Sequence, residues 1–427
     1  MARAENPVVV AAGRFLNSFK APAHLLIAVS GGSDSTGLLV ALATLCATGR
    51  YPGISLSACT VDHDLRPGSA EEAAWVSALC ARYGIPHVNR RWEGEKPVSG
   101  LQAAARAKRY DLLADAAFTT GADAILTAHT LDDQAETVAM RAERAPEGIG
   151  LSGMADAVLL NGSVWLFRPF LVLDRAAIRA FLAEQGEGWL DDPSNVNPRF
   201  ERVRMRQRRV PTESRPAAAQ RLSLSQRAAD FLATSVERDG ALFQIHSVAA
   251  VPADPAAWRG FLLLAAMVGG RIHVLDAASS ARLRLFLASG TLSRLTAGRV
   301  VFDRRRDGLF LYREYRDLKS LALPPGAAAV WDSRYSIRNL ADRTIVIGAV
   351  GSENGPGEGG LRGPALRAGR AVPCLKFEHG GIAPGEAAAI APLIAPYARF
   401  LPRFDLPIAD ALARILGLPP FPSPPNE

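Results

Sequence analysis

Cysteine is scarce in this sequence, and the few cysteines that it has stand far apart. They are Cys46, Cys59, Cys80 and Cys374, and no two of them lie within a dozen residues of each other. That spacing excludes a Cys-x-x-Cys redox or zinc site, and it argues against a disulfide framework. We therefore expect the protein to work in a reducing compartment, the cytosol.

Long hydrophobic runs are also absent. The longest, from Phe261 to Val268, is far shorter than the roughly 18 residues of a membrane span. Near the start, the apolar run from Val8 to Ala12 is followed directly by Gly13 and Arg14, so it is too short for the core of a signal peptide. The sequence therefore predicts a soluble protein without a membrane partner.

The overall composition is that of a globular protein. The 427 residues include 48% hydrophobic and 21% charged side chains. Such usage excludes disorder over most of the chain, and the length predicts two or three domains. Lysine and arginine number 49 against 42 for aspartate and glutamate, which gives a net charge of +7. A basic balance of this size is compatible with a polyanionic partner but does not identify one.

Strand-like and helix-like segments alternate over about the first third of the chain. Strand-like segments at Leu25–Val29, Ser55–Val61, His87–Arg91 and Ala124–Ala128 are separated by helical stretches, which predicts an α/β fold with a doubly wound parallel sheet. Ligands of such sheets bind beyond the carboxyl ends of the strands. We therefore expect one ligand-binding edge, made of Ser30–Ser35, Asp62–Arg66, the residues after Arg91, and His129–Asp133.

The remainder of the chain has a different pattern. The stretch from Ala217 to about Leu287 is rich in alanine and leucine and predicts helices. Arg299–Arg313 predicts a hairpin that turns at Asp307 and Gly308. The segment Gly348–Gly385 contains eleven glycines and predicts loop rather than core. A helical part followed by a small α+β part is therefore expected.

The hexapeptide from Ser30 to Ser35, Ser-Gly-Gly-Ser-Asp-Ser, lies between a predicted strand and a predicted helix. Gly31 and Gly32 let the backbone turn sharply towards a ligand, and the amides of the first helical turn attract anions. Ser30, Ser33 and Ser35 add hydroxyl donors. The Gly-Lys-Ser/Thr ending of a Walker loop and the third glycine of a Rossmann loop are both absent. The hexapeptide predicts a phosphate site of another kind, with a glycine turn and a serine N-cap as the plain alternative.

Three carboxylates, Asp132, Asp133 and Glu136, stand at the start of the helix that follows the fourth strand. Asp133 and Glu136 are three residues apart and share one helix face. They could bind Mg²⁺, which prefers a few carboxylates together with phosphate oxygens, or the ammonium groups of a free lysine. The alternative is a helix start whose acids are favoured by the helix dipole. His129 precedes them at the strand end, either as a ligand-binding side chain or as a neighbour of the helix cap.

Three further residues have two interpretations each. Asp62 and His63 end the second strand, where they bind a nucleotide base or ribose, or only satisfy a strand end. Arg106 lies on a helix that crosses the sheet, and it reaches a phosphate or stays solvated. The sequence alone leaves these choices open.

A basic run lies just before the alanine- and leucine-rich stretch that begins at Ala217. Arginine binds phosphate through its planar fork, so the run predicts a site for an RNA backbone, with a solvated charge run as the alternative. A triplet at the hairpin turn, Arg304–Arg306, is a smaller candidate. The run contains one acid, Glu201, and six arginines: Arg199, Arg202, Arg204, Arg206, Arg208 and Arg209.

The loop and several later segments resemble a known family. Ser-Gly-Gly-x-Asp-Ser after the first strand resembles the PP-loop of the N-type ATP pyrophosphatases, which split ATP between the α and β phosphates and adenylate a carbonyl oxygen. Over residues 20–210 the chain is similar to one branch of them, the lysidine synthetases, although Arg202 is followed by Val203 where that branch has asparagine. The similar segments are Val61–Arg66, Ala105–Arg106, Arg109–Tyr110, His129–Thr137, Gly150–Met154, Arg168–Phe170 and Trp189–Asn195.

The resemblance implies a domain order and a reaction. It implies a PP-loop ATP-binding catalytic domain in residues 1–215, a helical substrate- and tRNA-binding domain in 216–320, and an α+β tRNA-binding domain in 321–427. ATP and Mg²⁺ would be the cofactors. The O2 of a cytosine would attack the α phosphate, and the amine of free lysine would then displace AMP at C2. The RNA would be the isoleucine tRNA with a CAU anticodon, modified at its wobble cytidine, and a homodimer is left open.

The same resemblance, together with residue chemistry, assigns roles to side chains. The catalytic candidates are Asp133, Asp34 and His129, with Asp133 preferred over Glu136 as the base that takes the proton of the lysine amine. The metal-binding candidates are Asp34 and Asp133. The ATP-binding candidates are Ser30, Gly31, Gly32, Ser33, Asp34, Ser35, Asp62, His63 and Arg106. The substrate-binding candidates are Asp132, Asp133, Glu136, Arg202, Arg204 and Arg206.

Two other functions stay open at this point. A tRNA cytidine thiolase would share the loop but needs a cysteine pair, and the sequence has no close pair. A non-catalytic nucleotide- or RNA-binding protein would need no acid cluster opposite the loop, yet such a cluster is present.

Overall fold

The computed structural model describes residues 6–64, 68–144, 152–191, 215–351 and 362–426. The chain forms two compact units, Met1–Arg221 with Pro422–Glu427, and Leu222–Phe421. The finer division into three functional domains stays a prediction.

Some of the predicted features lie outside the described residues. The basic run, with Arg202, Arg204 and Arg206, is among them. So are Leu65 and Arg66, and residues 192–195 at the end of the segment Trp189–Asn195.

The first unit alternates helices with strands, as its sequence predicts. A further helix, α7 (Arg215–Ser235), crosses the boundary between the two units. The strands are β1 (Ala23–Ala28), β2 (Ile54–Asp62), β3 (His87–Arg91), β4 (Ala124–Leu126), β5 (Ala157–Leu160) and β6 (Val164–Phe167). The other helices are α1 (Pro7–Leu16), α2 (Ser33–Ala47), α3 (Ser69–Arg82), α4 (Leu101–Thr120), α5 (Leu131–Arg144) and α6 (Arg175–Glu184).

These six strands lie in the order β5-β6-β4-β1-β2-β3. All their pairings are parallel except that of β5 with β6. The centre of β1 is fully buried, as expected for a parallel strand covered on both faces. The chain runs outward from β1 through β2 to β3 and then returns to β4 on the other side of β1. The predicted doubly wound sheet is confirmed, and its switch point, where ligands bind, lies between the carboxyl ends of β1 and β4.

Helix α6 packs closely against α2 in the same unit. The contact depends on Gly37, since a Cβ added there would lie 2.3 Å from Cγ2 of Ile178 on α6. The absence of a side chain at Gly37 therefore lets α6 approach α2, and the amino end of α6 comes close to the loop that precedes α2.

The second unit is mixed α+β. One antiparallel sheet has the order β7-β8-β11-β10-β9, and two smaller sheets have the orders β12-β15-β16 and β13-β14-β17. Its strands are β7 (Val236–Asp239), β8 (Leu242–Ile245), β9 (Arg294–Ala297), β10 (Val300–Arg305), β11 (Gly308–Arg313), β12 (Leu321–Leu323), β13 (Ala328–Trp331), β14 (Tyr335–Asn339), β15 (Ile345–Ala349), β16 (Pro373–Phe377), β17 (Ala388–Pro392) and β18 (Phe400–Pro402). Its helices are α8 (Ala250–Ala253), α9 (Pro255–Val268), α10 (Ala277–Ala288), α11 (Gly363–Gly369) and α12 (Leu406–Leu416).

The structure confirms one sequence prediction for this unit and corrects two. The predicted hairpin is present as β10 paired with β11. The helical stretch expected up to Leu287 is interrupted by the β7–β8 hairpin, whose two-residue turn Gly240-Ala241 begins with a glycine at a φ of +55°. The glycine-rich segment is not all loop, because β16 pairs with β15 and buries Leu375 in a hydrophobic cluster. Among the described residues, no helix has the length and apolarity to cross a membrane.

Candidate active site

The loop after β1 is closed by its own hydroxyl groups. Gly31 has a φ of +84°, which favours glycine, and Gly32 is the N-cap of α2 without a capping side chain. The Ser35 hydroxyl accepts a hydrogen bond from the Ser30 amide at 3.2 Å and donates to the Gly32 carbonyl at 3.1 Å. Ser33 and Ser35 are buried, whereas Ser30 is exposed. Ser35 therefore shapes the loop, and its hydroxyl also lies 3.3 Å from that of the exposed Ser30.

Three of the predicted acids meet at this loop, around an arginine that sequence analysis did not assign to the site. Arg175, the first residue of α6, donates from Nε to Oδ2 of Asp34 at 2.9 Å, and its Nη2 lies 3.5 Å from Oδ1 of Asp133. The backbone amide of Arg175 donates to Oδ2 of Asp132 at 2.8 Å. Asp34 and Asp133 are 99 positions apart in the sequence (133 − 34), yet one guanidinium bridges them.

Asp133 also has a structural role at the start of α5. Its Oδ2 accepts hydrogen bonds from the Thr130 amide at 2.9 Å and from the Thr130 hydroxyl at 3.1 Å. Because the Asp133 amide also donates to the Thr130 hydroxyl, at 3.4 Å, the two residues form a capping box, an arrangement that the sequence analysis did not predict. Asp133 therefore uses one oxygen for its own helix and turns the other towards Arg175.

Burial has the largest effect on the protonation of Asp34 in this cluster. It raises the pKa of Asp34, Arg175 lowers it, and the neighbouring Asp133 raises it again, so that the net shift is upward. By formal charge, one guanidinium faces the two carboxylates of Asp34 and Asp133.

The Asp34–Asp133 pair suits Mg²⁺ in its chemistry. Among the described residues no group of three or more His, Cys, Asp or Glu side chains is arranged to hold a metal ion. Mg²⁺, however, is commonly held by one or two carboxylates, with phosphate and water oxygens completing its shell. The pair therefore fits a metal that arrives together with ATP.

Glu136 and His129 flank this cluster. Glu136 is buried one turn further along α5, on the same face as Asp133. His129 is half-buried at the end of β4, and its Nδ1 lies 3.0 Å from the Thr127 hydroxyl. Both thus lie on the edge of the sheet where ligands are expected.

A cavity of about 640 Å³ opens beside the loop, at the carboxyl ends of β1 and β2. Ser30, Gly32, Asp62 and His63 line it, as the sequence predicts, together with Arg109. The volume is in the range of pockets that hold small-molecule ligands. The structure therefore brings the phosphate loop and the predicted base- or ribose-binding residues to one cavity.

His63 has an unusual environment in this cavity. Its Nδ1 is buried and has no hydrogen-bond partner among the described residues, while its ring stands edge-on to Trp92 at 6.1 Å between centroids. Burial, followed by the charge of Arg109, lowers the pKa of His63, although Asp62 opposes the shift. A neutral imidazole nitrogen is therefore available to hydrogen-bond a ligand.

Arg106 lies on an exposed face of α4, as in the second of its two interpretations. It is exposed and stacks on Tyr110, with 5.3 Å from its guanidinium carbon to the ring centroid. The cavity is lined by Arg109, one helical turn away, and not by Arg106. A role for Arg106 in binding ATP stays a prediction, and Arg109 is the nearer candidate.

A short segment before the basic run lies against the loop. The Leu190 amide donates to the Gly31 carbonyl at 2.9 Å, and the Leu190 side chain lines the cavity. A Cβ added at Gly31 would lie 2.7 Å from Cδ1 of Leu190, so glycine permits this contact. Arg179 on α6 supports the segment by stacking on Trp189, and its Nε lies 3.4 Å from the Ser33 hydroxyl.

Sequence analysis missed three residues of this site: Arg175, Arg109 and Leu190. Arg109 and Leu190 lie in segments that were recognised by resemblance, but without a role. Arg175 had no local signal beyond its place at a helix start.

The family model and the curated relatives agree on one family. The family model described as a PP-loop domain matches residues 6–213. The chain is 45% identical to a tRNA(Ile)-lysidine synthase of Rhizobium meliloti (strain 1021), covering 98% of this chain and 97% of that protein. It is 39% identical to a tRNA(Ile)-lysidine synthase of Mesorhizobium japonicum, covering 93% of each. Among solved structures, a U34-tRNA thiolase of Methanococcus maripaludis is 15% identical with a TM-score of 0.36, covering 49% of this chain and 81% of that chain.

Proposed function

The chain belongs to the family of tRNA(Ile)-lysidine synthases, and we propose that it joins lysine to C2 of the wobble cytidine of an isoleucine tRNA with a CAU anticodon. The observation that carries the proposal is the meeting of Asp34, Asp132 and Asp133 at the PP-loop, beside a cavity of about 640 Å³. Such a site brings an activated phosphate and a carboxylate cluster to one place. We expect this activity in the cytoplasm.

ATP would bind with its triphosphate at the loop and its nucleoside in the cavity. The loop offers Gly31, Gly32 and the amino end of α2, which favour a negative charge. The cavity offers His63, whose Nδ1 lacks a partner among the described residues, and the carboxylate of Asp62 for a ribose hydroxyl or the base.

Mg²⁺ would be held by Asp34 and Asp133. When bound, it would neutralise charge on the phosphates and on the leaving pyrophosphate. The contact of both carboxylates with the one guanidinium of Arg175 supports this assignment, because it brings two acids from different helices within reach of a single cation.

The first chemical step would join the RNA to AMP. The O2 of the cytosine forms a bond to the α phosphorus, the bond to the β phosphate breaks, and pyrophosphate leaves with its electrons. The amides at the amino end of α2 stay in place to stabilise the charge on the phosphate oxygens.

The second step would use free lysine. Its amine has a pKa near 10.4 in water, so it arrives protonated at neutral pH. A carboxylate would hold the ammonium and take a proton, the amine nitrogen would form a bond to C2, and AMP would leave with O2. Asp133 and Glu136 are the two candidates.

The RNA would be bound in part by the basic run with Arg202, Arg204 and Arg206. Its six arginines and the net charge of +7 support an electrostatic contribution to binding. The homodimer considered from the sequence stays a prediction.

The cysteines argue against the thiolase alternative. All four are free, and burial raises the pKa of Cys59 to about 12 and that of Cys80 to about 11. Thiolates are the reactive form of cysteine, so these two thiols are poor nucleophiles at neutral pH.

One incubation tests the proposal against both alternatives. The protein is mixed with ATP, labelled lysine and bulk tRNA, with a parallel sample that contains a sulfur donor in place of lysine. We expect ATP-dependent label in tRNA, and digestion should place it on a modified cytidine. Sulfur incorporation without lysine would favour a thiolase, and tRNA retention without any turnover would favour a binding protein.

A further inference from the structure

Arg175 occupies the position between two carboxylates that the proposed function gives to a cation. Its guanidinium contacts Asp34 at 2.9 Å and Asp133 at 3.5 Å. The three side chains are withdrawn from water, with exposed fractions of 21% for Arg175, 20% for Asp34 and 13% for Asp133. Two carboxylates this near to each other repel when both are ionised, so a positive group between them is needed to hold them together.

We propose that Arg175 is a positioning residue that competes with Mg²⁺ for Asp34 and Asp133. The guanidinium holds the carboxylates in place when no divalent cation is bound, and it leaves them when one binds. The reason is that both oxygens of Asp34 already accept hydrogen bonds, Oδ2 from Nε of Arg175 and Oδ1 from the Ser33 hydroxyl at 3.2 Å, and that a guanidinium repels a second cation at the same carboxylates. This inference rests on the proposed ATP site.

The helix that carries Arg175 can stay still during this exchange. Its amino end is fixed by the Arg175 amide on Asp132 and by the Asp174 carboxylate, which accepts from the Ala177 amide at 2.7 Å. Helix α6 is also held against α2 at Gly37. Only the long side chain has to move, by rotation about its own bonds.

The same helix provides a matched control. Arg179 lies one turn after Arg175 and contacts the same loop, with its Nε 3.4 Å from the Ser33 hydroxyl. Its other contacts are with Trp189 and Asp191 at the surface. A change at Arg179 therefore removes an equal charge from the same helix without touching the acid pair.

The test is metal binding to the full-length protein without nucleotide, with Mn²⁺ as the probe and free Mn²⁺ measured by electron paramagnetic resonance. We expect Arg175→Met to bind Mn²⁺ about tenfold more tightly than the unchanged protein, the order of one charge-assisted hydrogen bond. Arg179→Met should bind like the unchanged protein. Adding Asp34→Asn to Arg175→Met should remove the gain. Equal or weaker binding by a folded Arg175→Met protein would overturn the proposal.

A second measurement needs no variant. An arginine-selective reagent, phenylglyoxal, is applied to the unchanged protein, and modification of each peptide is followed by mass spectrometry. Mn²⁺ should raise the modification rate at Arg175 severalfold relative to Arg179. An unchanged or lower rate under saturating Mn²⁺ would overturn the proposal even if Arg175→Met does not fold.

These measurements separate the inference from the proposed function, because they use neither ATP nor tRNA. A protein that labels tRNA with lysine but shows no Mn²⁺ gain in Arg175→Met overturns the inference alone. A protein that shows the gain but never labels tRNA overturns the proposed function alone.

Discussion

Two clusters of arginine and aspartate in this molecule differ in the ratio of acids to arginines. At the PP-loop, the acids Asp34, Asp132 and Asp133 share the one Arg175. In the second unit a single carboxylate, Asp332, binds three arginines. These are Arg313 with Nε at 3.0 Å, Arg334 with Nε at 2.6 Å, and Arg299.

The difference indicates what each cluster is for. Asp332 is 3% exposed and is surrounded by excess positive charge, and burial lowers the pKa of Arg334 and of Arg299. Its backbone has a φ of +51°, so the surrounding contacts hold an uncommon conformation. It joins segments of the second unit. The PP-loop cluster has excess negative charge and a cavity beside it, as a site that receives a cation requires.

The largest expected effect is on turnover, from Asp34→Ala. We expect ATP–pyrophosphate exchange to be abolished while the protein stays folded, because the proposed metal pair then has no carboxylate at the amino end of α2. Asp191→Ala is the control, since Asp191 is an exposed acid near the same loop, 3.8 Å from Arg179. Normal exchange in a stable Asp34→Ala protein would show that the PP-loop cluster is structural, like that of Asp332.

The second effect is on stability, from Asp332→Ala. Removal of this carboxylate leaves Arg313 and Arg334 buried without it, and breaking a buried pair typically costs about 3–5 kcal/mol. Urea denaturation should show a decrease of that size in the free energy of unfolding. Asp342→Ala, at an exposed position of the same unit, should change it by less than about 0.5 kcal/mol. A decrease below about 1 kcal/mol in Asp332→Ala would remove the contrast between the clusters.

The third effect is on substrate binding, and it shows whether Glu136 serves the lysine or the ATP with its metal ion. Glu136→Gln removes a charge but keeps size and hydrogen bonding, so packing should survive. A charged partner typically adds 1.5–3 kcal/mol to a hydrogen bond, so the apparent constant for lysine should rise roughly ten- to hundredfold while that for ATP barely moves. Glu143→Gln, at an exposed position of the same helix, is the control. Equal rises for lysine and ATP would assign Glu136 to the metal and phosphates, and no rise would leave it a favourable helix charge.

The smallest effect per residue is on tRNA affinity, from changes in the basic run. Charge reversal of Arg204, Arg206 and Arg208 should weaken tRNA binding and flatten its salt dependence, by up to about 0.9 in the logarithmic slope for each phosphate that is no longer neutralised. Filter binding at several salt concentrations measures the slope. The control reverses three exposed basic residues elsewhere, Arg14, Lys20 and Arg50. An equal slope in the test variant and the unchanged protein would place the tRNA on other residues.

The sheet of the first unit was predictable because most of its strands are short apolar runs with separate helical segments between them. Once the strands are parallel, their carboxyl ends share an edge, so the meeting of Asp34 with Asp133 also follows from sequence. The β7–β8 hairpin was less visible, since it lies inside an alanine- and leucine-rich stretch. Gly240, the first residue of its two-residue turn, was the signal that could have found it.

Arg175 was beyond prediction from local pattern. Its guanidinium reaches the acids because α6 lies against α2, and that approach depends on Gly37 meeting Ile178. Both residues lie in helical stretches, and the sequence of neither stretch predicts that the two helices contact each other there. Pairings of this kind arise from tertiary packing, which periodicity and spacing do not encode.

The hydrogen bond between Leu190 and Gly31 limits how far the basic run can lie from the phosphate loop. The bond holds Leu190 at the loop, and Arg199 follows nine positions later in the chain (199 − 190). A fully extended chain of that length spans at most about 30 Å. The first arginine of the basic run can therefore never be farther than this from the loop, whatever path the chain takes. If the basic run binds RNA as proposed, the phosphates that Arg199 contacts lie within this distance of the phosphate loop plus the length of one arginine side chain.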